Sequence, residues 1–210
     1  MCANFEAIKK NRAFLLGLSE LQFQYPDHIY PLYDAPILIH GADRPEWDLA
    51  KFGLIPSWAK ELKYGRHTYN ARTETVSSKP SFRHAWHKNQ FALVPVDAIY
   101  EPKYIDGKPH WYAIFRKDEL PFTLAAIYEN AVIENRQVRS MSLLTINADH
   151  HPFMRQFHTP KDEKRSVIVI PENARMDWLN CQYNEASQFF FEMQNEYVAV
   201  PKNRAVMTRL

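Results

Sequence analysis

The chain has 210 residues, of which 46% are hydrophobic, and a formal net charge of +2. This composition excludes a disordered or fibrous chain, and the balanced charge excludes a uniformly basic nucleic-acid binder, although it leaves room for a local basic groove. No apolar run approaches the ~20 residues that span a bilayer, and residues 1–10 lack the pattern of a signal peptide. We therefore expect one domain over residues 1–210 in a cytoplasmic protein, with no membrane segment.

The predicted elements begin with an amphipathic helix over residues 5–24, where apolar side chains recur at helical spacing. Residues 36–40 are typical of a strand, and residues 80–89 of a short helix. Five further strands are predicted at residues 91–96, 111–115, 122–128, 138–146 and 166–170. Asp106-Gly107-Lys108 predicts a hairpin turn, and helical patterns return at residues 152–157, 173–180 and 185–195. Strands in the middle with helices around them indicate an α+β fold with a largely antiparallel, barrel-like sheet.

Cys2 follows Met1 directly, and methionine aminopeptidases remove an initiator methionine when the next side chain is small. The product would carry an α-amine and a thiol on one carbon. Their ordinary pKa values, roughly 8 and 8.5, leave both groups partly nucleophilic near neutral pH. The amine can condense with an aldehyde to an imine, and the sulfur can then close a thiazolidine ring. Cys2 is therefore a candidate nucleophile, although its position alone has little specificity.

Three later segments carry polar residues suited to chemistry. Asn70, Arg72 and Glu74 alternate, so they would share one face of an extended strand, either at a site or simply in solvent. Glu101 ends an apolar run, where burial could raise the pKa of its carboxyl and suit it to acid–base catalysis; a turn at the strand end is the alternative. His158 precedes a strand, in a loop where histidines are usually surface residues.

Basic and aromatic residues are interleaved between residues 58 and 88, as in proteins that bind single-stranded nucleic acid through cations and stacked rings. A solvated surface over buried aromatic rings explains the same pattern. The members are Trp58, Tyr64, Arg66, Tyr69, Arg72, Lys79, Phe82, Arg83, Trp86 and Lys88. Cys2 and Cys181 are the only cysteines, and His84-x-x-His87 lacks a recognisable third ligand, so we expect no disulfide, metal or other cofactor.

The order of these segments resembles the SOS response-associated peptidase family. Phe52-Gly-Leu-Ile-Pro-Ser-Trp-Ala-Lys60 is similar to the family's Trp-Gly-Leu-Ile-Pro-x-Trp-Ala segment, and residues 124–127 and 144–147 are similar to its two central strands. The resemblance covers roughly residues 45 to 180 together with the first two positions. Members of this family protect abasic sites in single-stranded DNA, and some accounts have them remove their own initiator methionine.

The resemblance implies a role for each reactive residue. Cys2 would form a thiazolidine crosslink with the ring-opened abasic sugar, and Glu101 would move protons around the imine. His158 would assist sugar ring opening, while Asn70 would hold the N-terminal residue and the sugar. The implied DNA interface consists of Trp58, Arg72, Glu74, Arg83 and Arg165. The implied partner is single-stranded DNA containing abasic sites, bound by a monomer associated with the nucleoid during the DNA damage response.

The chain also departs from the family pattern. Ala3 and Asn4 stand where glycine and arginine are usual, and Pro102 stands where tryptophan usually follows the glutamate. Two other functions therefore remain open at this point. One is a thiol peptidase or amidase with Cys2 as nucleophile, His158 as base and Glu101 as orienting group; the other is a single-stranded DNA binder without catalytic activity.

Overall fold

The computed structural model describes residues 2–42 and 44–202. Strands in these residues join one twelve-stranded sheet. In chain order they are β1 Asn4–Ala7, β2 His28–Ile29, β3 Asp34–Ile39, β4 Glu46–Phe52, β5 Asn70–Arg72, β6 Phe91–Ile105, β7 Lys108–Arg116, β8 Phe122–Ile133, β9 Arg136–Asn147, β10 Arg165–Val167, β11 Val169–Ile170 and β12 Tyr197–Pro201.

The helices in the same residues are few and short. The α-helices are α1 Arg83–His87 and α2 Arg175–Asn180, and the 3-10 helices are Lys10–Leu16, Leu62–His67, Met154–Gln156, Glu172–Ala174 and Ala186–Phe189. No helix in the described part of the chain is long and apolar enough to cross a bilayer.

The sheet closes on itself. β6 pairs with both β3 and β8, and the path from β8 through β9 and β4 returns to β3. Within the described residues, the β4–β9 and β5–β9 pairings are parallel, and the other strand pairings are antiparallel. A closed ring of strands leaves no long open edge among its members. The α+β fold with a largely antiparallel, barrel-like sheet is therefore confirmed.

The strands predicted from the sequence are confirmed, and so is the hairpin turn between β6 and β7. Asp106 and Gly107 both adopt positive φ, at 50° and 73°, as a two-residue turn between twisted strands requires. The strand predicted at residues 91–96 is too short, because β6 extends from Phe91 to Ile105 and passes through Glu101. Glu101 is therefore an interior strand residue and not a strand-end one, and its backbone is held by pairing with Tyr112 on β7.

The helix predicted over residues 5–24 is wrong. Asn4–Ala7 form β1, which pairs with β6 and places Phe5 opposite Ile99 in the barrel interior. A 3-10 helix follows and ends at Gly17, whose φ is 70°. Strand pairing across the barrel overrides the helical spacing of the apolar residues here. The predicted helix at residues 185–195 is likewise reduced to one short 3-10 helix, Ala186–Phe189.

The buried residues form two main clusters on the two faces of the sheet. The cluster inside the barrel includes Cys2, Phe5, Phe52, Met141 and Phe157. The second lies between the outer face of the sheet and the helices α1 and α2, and its largest members are Trp86, Phe91 and Trp178. Cys2 therefore belongs to the barrel interior. The candidate site described below is built around it on that side of the sheet.

Candidate active site

The thiol of Cys2 is held inside the barrel. Its side chain is 1% exposed, and its Sγ donates a hydrogen bond to the carbonyl oxygen of Asn4 at 3.3 Å. β1 begins two residues later and fixes this end of the chain by pairing Asn4 with Tyr100 on β6. Because β6 also carries Glu101, one strand pairing positions both the nucleophile and the carboxylate.

Asn70 anchors the N-terminal residue from the opposite side. It is the first residue of β5, which pairs in parallel with β9 and places Asn70 opposite Leu143. The Nδ2 of Asn70 donates a hydrogen bond of 2.7 Å to the carbonyl oxygen of Cys2. The Oδ1 of the same amide is buried and has no hydrogen-bond partner among the described residues. Asn70 therefore orients Cys2 and keeps an acceptor available for a second group.

Glu101 and His158 form a buried pair. The Nε2 of His158 lies 2.7 Å from the Oε2 of Glu101, and their side chains are 6% and 2% exposed. A carboxylate accepts hydrogen bonds, so Nε2 donates in this contact, and in a neutral ring Nδ1 then has the free lone pair. Nδ1 is buried without a hydrogen-bond partner among the described residues. The pair thus presents a proton acceptor to any group that enters beside it.

The backbone holds His158 in an unusual conformation. Its φ is 64°, in the left-handed region that is uncommon outside glycine, although histidine adopts it more often than most other residues. Its N–H donates a 2.7 Å hydrogen bond to the carbonyl oxygen of Pro102, and Lys164 Nζ donates to the carbonyl oxygens of His158 and Thr159. These bonds attach the loop to β6 and turn the imidazole towards Glu101.

Burial governs the protonation of Cys2. Desolvation, and then the negative charge of Glu101, raise the pKa of the Cys2 thiol well above its ordinary value. Burial, and then the charges of Cys2 and Glu101, also raise the pKa of Tyr69, which shows that these three side chains share one environment. The thiol is therefore protonated at neutral pH, and its reaction requires a nearby proton acceptor.

The residues assigned to DNA from the sequence occupy different surroundings. Trp58 is 55% exposed. Its ring packs edge-to-face against the ring of Tyr64, with the two ring centres 5.1 Å apart. Arg72 follows Asn70 on β5, is half-exposed, and pairs with Glu163 at 2.8 Å. Arg83 is exposed at the start of α1, on the side of the second core.

Arg165 is buried and hydrogen-bonds to other groups of the protein. Its side chain is 1% exposed, and its guanidinium donates to both carboxylate oxygens of Glu74, to Glu163 and to the carbonyl of Thr145. The DNA contacts expected of Arg165 and Glu74 stay predictions: Arg165 is buried, whereas the side chain of Glu74 is 47% exposed. Together they tie the turn after β5 to β9 and β10, and so support the strand that carries Asn70.

The positions that depart from the family pattern have local explanations. Ala3 does not have positive φ, so the backbone here does not require glycine. Asn4 is buried, and in the β1–β6 register it lies opposite Tyr100, so its side chain is not a surface ligand for a phosphate. Pro102 accepts the His158 hydrogen bond through its carbonyl, a contact that any residue could make.

Sequence reasoning missed several residues around this site. Tyr112 lies directly opposite Glu101 in the β6–β7 register. The centre of its ring is 6.1 Å from the centre of the Phe157 ring, in an edge-to-face arrangement. Lys164 supports the loop of His158, as described above, and Glu163 neutralises Arg72. Both lie in a charged run that gives no sequence signal for a particular partner. The described residues contain no group of three or more histidine, cysteine, aspartate or glutamate side chains arranged to hold a metal ion.

The fold and the site together define a class of protein in which a cysteine at position 2 lies inside a β-barrel beside a buried carboxylate–imidazole pair. The family model for SOS response associated peptidase (SRAP) matches residues 1–208. The chain belongs to the SRAP family, and the resemblance read from the sequence is confirmed.

Individual relatives agree with this assignment. The chain is 29% identical over 188 residues to abasic site processing protein YoqW of Bacillus subtilis (strain 168), covering 86% of this chain and 80% of that protein. It is 26% identical over 161 residues to abasic site processing protein YoaM of the same organism, covering 76% and 67%.

Solved structures agree as well. A crystal structure from Bordetella bronchiseptica matches with a TM-score of 0.90 and 28% identity, covering 96% of this chain and all of that one (100%). A second, from Bacteroides thetaiotaomicron, has a TM-score of 0.77 at 19% identity and covers 99% and 95%, a likeness of fold alone.

Proposed function

We propose that this protein processes abasic sites in single-stranded DNA by forming a covalent thiazolidine between Cys2 and the ring-opened sugar, after Met1 is removed. The observation that carries the proposal is the convergence of three groups: Asn70 holds Cys2 by a hydrogen bond, Glu101 is close enough to raise the pKa of the Cys2 thiol, and His158 pairs with Glu101. Family membership and the names of the two Bacillus relatives support the same substrate.

The proposed reaction needs no cofactor, because it consists of proton transfers, two additions to one carbon and the loss of water. His158 Nδ1, a buried atom without a partner among the described residues, takes the proton of the anomeric hydroxyl and returns it to the ring oxygen as the bond between that oxygen and the anomeric carbon breaks, which opens the sugar to the aldehyde. The neutral α-amine of Cys2 adds to the aldehyde carbon, and the resulting carbinolamine loses water to give an imine, with Glu101 moving the protons. The thiol then adds to the same carbon; its proton passes to the imine nitrogen, and the ring closes with water as the only leaving group.

Asn70 has an orienting role in this scheme. Its Nδ2 holds the Cys2 carbonyl at 2.7 Å, which limits rotation of the amine and thiol relative to the incoming carbon. Its unpartnered Oδ1 can accept a hydrogen bond from a sugar hydroxyl. Such positioning converts two encounters into intramolecular steps, which lowers their entropic barrier.

The hydrogen bonds favour crosslinking over a thiol peptidase. In a cysteine peptidase the imidazole hydrogen-bonds the thiol and removes its proton. Here the Sγ of Cys2 donates to a backbone carbonyl, whereas His158 Nε2 contacts Glu101. Removal of Met1, by an aminopeptidase or by the chain itself, is then a preparatory step that creates the α-amine.

Incubation with single-stranded DNA bearing one abasic site, followed by a denaturing gel, tests the proposal. We expect a heat-stable shifted band for the wild type and for Cys181→Ala, which removes the other thiol. Cys2→Ala should retain binding and lose the band. Glu101→Gln and His158→Ala should slow its formation about 10²- to 10⁴-fold, because proton-transfer assistance is of that size. A protein shown by intact mass to lack Met1, yet forming no adduct, would contradict the proposal.

A further inference from the structure

A recess beside the start of β8 has no role in the scheme above, and none of the four reactive residues lines it. Its volume is about 290 Å³, near the lower end of the range for small-molecule sites. We call it the Arg175 recess, and the lining residues used below are Leu120, Glu172, Arg175, Phe191, Glu192 and Glu196. We propose that the Arg175 recess binds a free α-amino acid with an apolar side chain, its carboxylate on Arg175 and its ammonium on Glu172. This inference is independent of the proposed function.

Arg175 is a buried charge without an ion-pair partner. It begins α2, and its side chain is 7% exposed. Its Nε donates a hydrogen bond to the hydroxyl of Thr123 at 3.3 Å, and its Nη1 donates to the carbonyl oxygen of Leu16 at 2.9 Å. No carboxylate of the described residues lies within ion-pairing distance of it, whereas the equally buried Arg165 pairs with two glutamates. A buried charge is costly without an opposite charge beside it, so Arg175 lacks the partner that Arg165 has.

The remaining nitrogen of Arg175 is available to a ligand. Its Nη2 makes no hydrogen bond within the described residues, and it is not among their fully enclosed atoms without a partner. Because Arg175 also lines the recess, Nη2 is the end of the side chain that a molecule in the recess reaches. The other arginine of the recess, Arg116, already donates from Nε and Nη2 to Asp118. Carboxylates are the groups that a guanidinium binds most specifically, so a carboxylate is the expected partner of Arg175.

Glu172 provides an opposite charge close to this position. A Cβ at Gly17 would lie 3.9 Å from Oε1 of Glu172, and the carbonyl of the preceding residue, Leu16, accepts the hydrogen bond from Arg175. Burial lowers the pKa of Arg175, and the charge of Glu172 opposes that shift. The two side chains are thus neighbours at one turn without forming an ion pair with each other. An α-amino acid, which carries a carboxylate and an ammonium on one carbon, can contact both.

The rest of the recess disfavours a simple anion and favours an apolar body. Glu192 and Glu196 line the recess together with Glu172, so three carboxylates stand against two arginines. A ligand of net negative charge is repelled by that balance, whereas a zwitterion is not. Leu120 and Phe191 supply apolar walls and are 38% and 40% exposed. An apolar side chain placed against them removes this surface from water.

Calorimetric titration of the full-length protein with L-leucine, L-methionine and L-phenylalanine tests the proposal, and we expect saturable binding of one molecule per chain. Three relatives of leucine separate the contacts. Leucinamide lacks the carboxylate and glycine lacks the apolar side chain, and each should bind about 10- to 150-fold more weakly than leucine. 4-Methylpentanoate lacks the ammonium and should bind about 2- to 5-fold more weakly, because Glu172 is exposed and its ion pairs are weak.

Two variants locate the binding. Arg175→Met should weaken leucine binding about 10- to 150-fold, because it removes the guanidinium and keeps an unbranched side chain. Glu172→Gln changes an exposed residue and so does not depend on refilling a buried position. It should weaken leucine binding about 2- to 5-fold but strengthen the binding of 4-methylpentanoate, because the lost carboxylate attracts an ammonium and repels an anion. Glu20→Gln is the matched control, an exposed glutamate outside the recess. Thermal unfolding of each variant shows whether the fold is intact.

The outcomes decide in both directions. Absence of binding by all three amino acids would overturn the proposal, and so would equal binding of leucine by the wild type and both recess variants. Tighter binding of leucine by Glu172→Gln would also overturn it, because the recess would then be a simple anion site. Weaker leucine binding in both recess variants, with Glu20→Gln unchanged and the opposite response of 4-methylpentanoate in Glu172→Gln, supports it. None of these results depends on whether the protein forms an adduct with DNA.

Discussion

At the scale of single residues, the site depends on keeping a neutral thiol next to a buried carboxylate. The hydrogen bond from Sγ to the Asn4 carbonyl satisfies the thiol proton, and the negative charge of Glu101 opposes its loss. A thiolate would react with many electrophiles, whereas a thiol that requires local deprotonation reacts where an electrophile is held in place. Under the proposed function, Cys2 would therefore react with a bound aldehyde in preference to oxidants and alkylating agents in solution.

The first prediction follows from the raised thiol pKa values. Burial raises the pKa of Cys181 to about 11 and that of Cys2 further, so the thiolate fraction of both is small near pH 7 and grows as the pH rises. We expect iodoacetamide to alkylate the folded protein more slowly than the denatured protein, with Cys2 slower than Cys181. Mass spectrometry of Cys2→Ser and Cys181→Ser separates the two thiols. Alkylation of folded Cys2 near pH 7 at the rate of a free cysteine would contradict this.

From the sequence, the four residues that the structure brings together could be identified more easily than the residues that support them. Cys2, Asn70, Glu101 and His158 are recognisable because each stands in a short motif whose order resembles a family. The structural role of Arg165 could not be foreseen, because an arginine in a charged run gives no sign of whether its partners are phosphates or the protein's own carboxylates. That choice depends on the register of β10 with β9, which brings Arg165 beside Thr145 and Glu74.

At the scale of elements, the position of β5 depends on a close backbone approach before it. Gly53 has φ 117°, and a Cβ at this residue would lie 2.0 Å from the carbonyl oxygen of Gly65. The N–H of Leu54 donates a hydrogen bond to the carbonyl oxygen of Thr68. The side-chain hydroxyl of Thr68 in turn donates to the carbonyl oxygen of Leu54. These contacts close the segment between β4 and β5 and determine where Asn70 begins its strand.

The second prediction concerns this close approach. Gly53→Ala should destabilise the protein by about 3 kcal/mol, because it combines an unfavourable φ with a backbone clash. Gly107→Ala is the matched control: its φ is 73°, but its Cβ would meet no atom within 4 Å, so about 1 kcal/mol is expected from conformation alone. Urea unfolding measures both. Equal losses in the two variants would mean that the approach of Gly53 to Gly65 is not tight.

The failed helix over residues 5–24 shows a limit of sequence patterns at this scale. Phe5 and Ile8 fit a helical stripe, but Phe5 is more fully buried as a strand residue opposite Ile99. The partner strand lies more than 90 residues later in the chain, and a local window contains no information about it. The strands of the β6–β9 region could be predicted because neighbours in the chain also pair in space.

At the scale of the whole molecule, buried titratable groups set the pH range of the fold. Burial raises the pKa of Tyr25 to about 12 and raises the pKa values of Tyr100, Tyr197 and the two thiols. An acid whose folded pKa is raised keeps its stabilising effect below its ordinary pKa and loses it as the pH rises above that value. Hydrogen bonds from Arg116 and Arg165 have the opposite effect, lowering the pKa of Asp118 to about 2 and that of Glu74.

The third prediction is therefore a stability plateau with two edges. The melting temperature should be nearly constant from about pH 5 to pH 9, fall below that range as the lowered carboxyl groups are protonated, and fall above it as buried thiols and phenols ionise. Tyr25→Phe removes one of the alkaline groups, together with its hydrogen bond to the Ile8 carbonyl. We expect this variant to be less stable near pH 7 but to lose less stability between pH 9 and 11. A parallel loss in both proteins would contradict the role of Tyr25.

The burial of Cys2 also sets an order of events during synthesis. Cys2 leaves the ribosome first, but Asn70, Glu101 and His158, the residues that surround it, are made much later. At about 5–20 residues per second, His158 is added roughly 8 to 30 seconds after Cys2. During that interval Cys2 is not yet enclosed, whereas in the folded barrel it is buried. Under the proposed function, a molecule whose Met1 is removed by an aminopeptidase would gain its reactive α-amine most readily before the barrel closes.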